Sequence, residues 1–239
     1  MAEASPFVLV PGLNCSARIF AEQIPALWRL GSVTISDHTR GDSIAAIARS
    51  ILTVAPPRFT LVGFSMGGYI GFEMLRQAPQ RVAGLALLDT SARPDSPAQT
   101  AFRNQRIEMA QSGRFDEVIE RQFAALVHRS RRDDKSLYAI HRAMAQELGA
   151  DIFVRHQRAI IQRADSRPDL AGVRCPALVL VGDSDQIAPP DAAEEMAAGM
   201  EAARHVVVPD CGHLSLIERP EIVSQALVEW ARANALGGS

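Results

Sequence analysis

Three short segments of this 239-residue chain hold residue types that together could carry out nucleophilic chemistry. The first is Gly63-Phe64-Ser65-Met66-Gly67, which follows an apolar run and opens a helical pattern. A serine hydroxyl is a weak nucleophile and must be presented to a base without obstruction. A sharp strand-to-helix turn does this by lifting Ser65 clear of the sheet, and the G-x-S-x-G spacing is its signature. Glycines on either side let the strand and helix close in. The Met66 N–H would then lie in the first helical turn, where an oxyanion could be held. The plain alternative is a tight glycine turn with an incidental serine.

Such a turn predicts an acid and then a histidine further along the chain. Of six histidines, His213 in Asp210-Cys211-Gly212-His213 follows the last apolar run. His38, His128, His141 and His156 come too early or fall in an irregular middle region, and His205 falls inside a strand run. The acid belongs at the end of the preceding strand, where Gly182-Asp183-Ser184-Asp185 offers two carboxylates. Asp185 is favoured because it sits further into the loop, where it can turn back towards the His213 Nδ1. Asp183 is expected to fix the loop through local backbone bonds. Asp89, ending the fourth run, is the alternative acid. Such an acid would hold the imidazole tautomer and stabilise the imidazolium.

A second oxyanion donor is expected from Pro11-Gly12-Leu13-Asn14, with the Leu13 N–H as the candidate. Asn14, Ile187 and Leu214 adjoin these segments and are expected to meet substrate. Cys15 lies close by, but no cysteine-protease signature surrounds it.

The elements that must position these residues alternate. Apolar runs at Phe7 to Val10, Val33 to Ser36, Phe59 to Val62, Val82 to Leu88, Ala177 to Val181 and His205 to Val208 each end on a turn former. Continuous apolar runs of this length suit strands covered on both faces, as in a parallel sheet. Amphipathic patterns cover Ala17 to Leu30, Asp42 to Val54, Met66 to Gln77, Asp191 to Met200 and Ile217 to Ala233. Asp42 is the expected cap of the second, and Pro189-Pro190 should open the fourth. Strand and helix in alternation imply a doubly wound α/β fold.

From about Arg93 to Arg174 the strand runs stop. Helical patterns replace them at Ala98 to Gln111, Phe115 to His128, Lys135 to Leu148 and Ile152 to Gln162. The expected division is a core of residues 1–92 and 175–236 with a helical cap of 93–174. The cap holds 15 basic and 11 acidic residues, a net +4 against −6 elsewhere. This is either a solvated helical surface or a mildly basic lid favouring anionic substrates.

A total charge of −2 points to neither nucleic acid nor an anionic membrane as partner. No apolar run approaches the ~20 residues that span a bilayer. The N-terminal Met-Ala-Glu-Ala-Ser-Pro lacks the basic-then-apolar order of a secretory signal. Three irregularly spaced cysteines, Cys15, Cys175 and Cys211, suggest free thiols in a reducing cytoplasm. No metal-ligand cluster or phosphate loop stands out, so no cofactor is expected and a small molecule is the expected partner.

Taken together, the chain from about Pro6 to Ala233 resembles the α/β-hydrolase superfamily. More narrowly, it resembles the small bacterial members that include carboxylesterases, enol-lactone hydrolases and cofactor-free haloperoxidases. Val10-Pro11-Gly12, Gly63-Phe64-Ser65-Met66-Gly67-Gly68, Val181-Gly182-Asp183-Ser184-Asp185 with Pro189, and Gly212-His213 carry the resemblance. The family's G-x-x-D acid maps onto Asp185. The resemblance implies six parallel strands, a helical cap and hydrolysis of a small ester, thioester or lactone through an acyl-enzyme. Non-hydrolytic chemistry on the same residues (lyase, C–C cleavage or perhydrolase) and a ligand-sensing role with slow turnover are the alternatives. Family members commonly carry His-Gly where this chain has Pro11-Gly12, so proline is expected to brace that turn by fixing φ.

Overall fold

The computed structural model describes residues 5–236. Six strands form one all-parallel sheet: β1 (Phe7–Val10), β2 (Val33–Ile35), β3 (Phe59–Phe64), β4 (Val82–Leu88), β5 (Ala177–Gly182) and β6 (Ala203–Val208). Their order is β2-β1-β3-β4-β5-β6. The chain therefore reverses direction across the sheet between β1 and β3. In open α/β sheets, the crevice at the carboxyl ends of such strands is where ligands bind.

The period-two geometry of a strand sorts each run onto two faces. Phe7 and Leu9 enter one apolar cluster while Val8 and Val10 enter the other. Leu178 and Leu180 of β5 join the first, and Ala177, Val179 and Val181 join the second. Both clusters are closed by helices with apolar stripes at helical spacing. On one face lies α10 (Pro220–Ala233), burying Val223, Ala226, Leu227, Trp230 and Ala231, next to α1 (Gln23–Trp28). On the other lie α2 (Ile44–Val54), burying Ile44, Ile47, Ala48 and Ile51, α3 (Met66–Gln77) and α8 (Pro190–Gly199). Full burial of each large apolar side chain contributes about 1.5–3 kcal/mol.

Several boundaries differ from those expected. Ala17 to Leu30 is two pieces, a 3₁₀ turn at Ala17–Phe20 and then α1. Pro25 lacks an N–H, so a helix can hold it only in the first turn, where that donor has no partner anyway. Likewise Ile217 to Ala233 breaks into α9 (Ser215–Glu218) and α10, which restarts at Pro220. The cap of α2 is Ser43, whose hydroxyl accepts from the Ala46 N–H, and not Asp42. Pro190 does open α8.

Between β4 and β5 come four helices: α4 (Pro97–Gln111), α5 (Phe115–Leu126), α6 (Lys135–Leu148) and α7 (Ala150–Ile161). A capping box of Ser96 and Gln99 starts α4. These helices share an apolar cluster of Ile107, Met109, Ala110, Val118, Phe153 and Val154. Among the described residues no helix is long and apolar enough to cross a membrane.

Candidate active site

Ser65 occupies the turn between β3 and α3 with φ 52° and ψ −115°, a region that non-glycine residues enter only under constraint. Its neighbours hold it there. The Ser65 N–H donates to the Leu88 carbonyl at 2.9 Å, and the Thr90 hydroxyl donates to the Ser65 carbonyl at 2.8 Å. The flanking glycines are sterically required. A Cβ on Gly67 would collide with the Val10 carbonyl oxygen, and one on Gly63 would strike the backbone of Gly67.

His213 brings its Nε2 to 2.9 Å from the Ser65 Oγ. Its Nδ1 lies 2.7 Å from Oδ2 of Asp185. The other oxygen of Asp185 accepts the N–H groups of Ile187 and Ala188 at 2.8 and 3.0 Å, which fixes the carboxylate's orientation. All three side chains are buried. Burial alone would lower the His213 pKa. The charge and hydrogen bond of Asp185, with Asp89 and Glu218 behind them, outweigh burial and hold it above the ordinary imidazole value.

The remaining acids near His213 serve the loops. Asp183 accepts from the N–H groups of Asp210 and Cys211 at 2.9 and 3.1 Å, so it pins the loop leading to His213 more than its own. Asp89 makes no hydrogen bond to His213. It accepts from the Gly182 N–H at 3.0 Å and from the Ser215 hydroxyl. Burial and then the charge of Asp185 push its carboxyl well above the usual range. Glu218, which the sequence did not single out, accepts from the N–H groups of Gly212 and His128 at 3.0 and 2.8 Å. It ties the histidine loop to the end of α5, where the Leu126 carbonyl also accepts from the His213 N–H at 2.9 Å.

Leu13 follows β1, and Met66 is the first residue of α3, whose N–H has no helical partner. The Met66 side chain is buried in the core beneath. Leu13, Asn14, Ile187 and Leu214 line one cavity of about 60 Å³ with Ser65 and His213. At roughly 10–15 Å³ per water, that space suits a few heavy atoms beyond the reacting carbon. The inserted helices contribute Arg103, Arg106, Gln122 and His141 to the same cavity. None of these was singled out from sequence, because nothing local marks which face of a helix looks back at the sheet.

His38 is the clearest omission. Its Nε2 meets the Gly12 carbonyl at 3.1 Å, bracing the Pro11–Asn14 turn from below. The turn that Pro11 is expected to brace is thus also held by His38. His156 in turn places its Nε2 3.0 Å from the His38 carbonyl, with the rings 5.0 Å apart. Burial lowers these histidines to about 4 and about 3, so both are neutral. The available signal was topological: β2 lies beside β1, so the loops after both strands must meet. Cys15 is buried, and burial pushes its thiol up to about 12, far from a reactive thiolate. Among the described residues no three His, Cys, Asp or Glu side chains gather as a metal would require.

A parallel doubly wound sheet with a strained serine turn at the end of a central strand defines a class of protein. Residues 36–220 match the family model described as alpha/beta hydrolase fold, and the chain belongs to that family. Among its relatives is the pimeloyl-[acyl-carrier protein] methyl ester esterase of Edwardsiella ictaluri, 28% identical, the match covering 94% of this chain and 92% of that protein. A thermophilic esterase from Thermogutta terrifontis superposes with a TM-score of 0.87 at 30% identity, covering 97% of this chain and 91% of the other. The enol-lactonase from Burkholderia xenovorans LB400 shares the fold, with a TM-score of 0.84 at 23% identity, covering 97% and 92%.

Proposed function

We propose that this chain hydrolyses a small carboxylic ester, thioester or lactone through an acyl-enzyme. The observation that carries the reading is the continuous line from Asp185 through His213 to Ser65, at 2.7 and 2.9 Å. In this reading His213 takes the Ser65 proton as Oγ attacks the carbonyl carbon. The Leu13 and Met66 N–H groups receive the developing oxyanion. The imidazolium, stabilised by Asp185, returns the proton to the leaving alkoxide or thiolate. His213 then deprotonates water, which attacks the acyl-enzyme and releases the acid and free Ser65.

Asn14, Ile187 and Leu214 contact the substrate. Helices α4 to α7, within residues 93–174, act as a cap on the core of 1–92 and 175–236. The substrate is a small molecule, not nucleic acid or a membrane, and the free thiols of Cys15, Cys175 and Cys211 suit work in the cytoplasm. Ser65→Ala should lower turnover of p-nitrophenyl acetate by at least about 10⁴-fold. Undiminished turnover would remove Ser65 from this role. Incorporation of label from ¹⁸O-water into the product acid separates hydrolysis from lyase or perhydrolase chemistry on the same residues.

A further inference from the structure

The cavity at Ser65 contains a cation with no anion to match it. Arg106 of α4 lines that cavity half-buried and, among the described residues, has no carboxylate within 4.0 Å. The other buried arginines of this region are matched. Arg103 binds Asp95 at 2.6 Å and the Gln157 amide oxygen at 2.8 Å, and Arg163 binds the same Asp95 at 2.6 Å. One buried carboxylate thus serves two guanidiniums, and a third stands beside them unanswered. Cap cations elsewhere that lack a carboxylate, such as Arg142 and Arg155, are exposed, where water answers the charge.

The surroundings of Arg106 hold it ready. One face of its guanidinium stacks 4.2 Å from the Phe102 ring. Nη1 donates to the Gln122 amide oxygen at a long 3.4 Å, and the Gln122 amide nitrogen lies 3.1 Å from the His141 Nε2. Among the described residues, most of the fork's five N–H donors therefore have no protein acceptor and are left to water or a ligand. Burial, with the charge of Arg103, lowers Arg106 only to about 10, so it remains charged at neutral pH. A second observation points the same way. Asn14, 1% exposed, lines the same cavity, and among the described residues neither its amide nitrogen nor its amide oxygen has a partner. A buried amide and a partly buried guanidinium are both costly without partners, and both gain from a ligand that supplies them.

We propose that Arg106 and Asn14 form a recognition site for a carboxylate on the substrate, so that the preferred substrates are short esters or lactones carrying a free carboxylate a few bonds from the scissile carbonyl. This rests on the hydrolase reading and narrows its substrate class. A planar carboxylate matches the guanidinium fork, and the Asn14 N–H₂ can donate to the same group. The small cavity places that carboxylate near the reacting centre.

The test compares monomethyl succinate and monomethyl glutarate with methyl butyrate and methyl pentanoate, following methanol release at neutral pH. The expected kcat/KM favours the anionic esters. Arg106→Gln should lower the anionic-to-neutral ratio at least tenfold, and Arg106→Lys should retain part of it. Calorimetry of succinate binding to the otherwise intact protein is the readout independent of turnover, and Arg106→Gln should abolish it. Equal turnover of both ester types with a ratio unchanged by Arg106→Gln, or no succinate binding, would overturn the carboxylate site and leave the hydrolase reading standing. Hydrolysis of neither ester type, with Arg106-dependent succinate binding, would do the reverse.

Discussion

A serine, an imidazole and a carboxylate matter here only through their separations, and each responds differently to change. Asp185 both orients His213 and raises its pKa. In the proposed mechanism His213 must be neutral to accept the Ser65 proton, so activity should fall as pH drops through that raised value, placing the acid limb of kcat/KM above the ordinary imidazole value. Asp185→Asn removes the largest raising influence. The expected outcome is a rate lower by about 10⁴-fold, with the residual activity persisting to lower pH. A pH–rate profile of both proteins checks this, and an unmoved acid limb would assign the titration to another group.

At the level of elements, the turn after β1, which we propose holds the oxyanion, depends on a neighbour outside its own loop. The Gly12 carbonyl is held by His38, which follows β2, and His38 is held through its carbonyl by His156 on α7. His38→Ala removes the ring that sets the turn. We expect kcat to fall about 10- to 100-fold with little change in KM, as for loss of an interaction that matters mainly in the transition state. Steady-state kinetics decide; a change confined to KM would place His38 in ground-state binding instead.

Over the whole molecule, buried neutral histidines set a limit on acid stability. His38, His141 and His156 are lowered to about 4, about 4 and about 3 by burial. The unfolded chain takes up these protons below about 6.5, whereas the folded protein refuses them until far lower pH. Stability therefore falls as pH drops through that window, by up to roughly 3 kcal/mol per histidine. Against a total of about 5–15 kcal/mol, such a loss is large. His213, Asp89 and Glu218, all raised, act in the opposite sense, so the histidine contribution is read by difference. His156→Gln should lose less Tm than the parent protein between pH 7 and pH 5. A parallel decline in both proteins would mean that His156 does not titrate differently on unfolding.

The six strand runs and the Ser65 turn were readable from the chain because each is local, whereas Asp185 and His213 as the proposed partners of Ser65 followed from the chain order that such a turn predicts. The local features are written in continuous apolar runs, a period of 3.6, or a glycine spacing. Helix ends at Pro25 and Pro220 blurred when one amphipathic stripe ran across a break, since hydrophobic periodicity does not register a missing N–H. What lay beyond the sequence were the side chains that meet through space. His38 reaches Gly12 only because β2 neighbours β1, and Glu218 reaches His128 only because α5 ends against the His213 loop. Arg106 shares a cavity with Ser65, and among the described residues lacks a counter-ion, only because of how α4 packs against α5 and α7. Contacts of that kind depend on which faces of separate elements are pressed together, and the packing of the whole molecule, not any one segment, decides them.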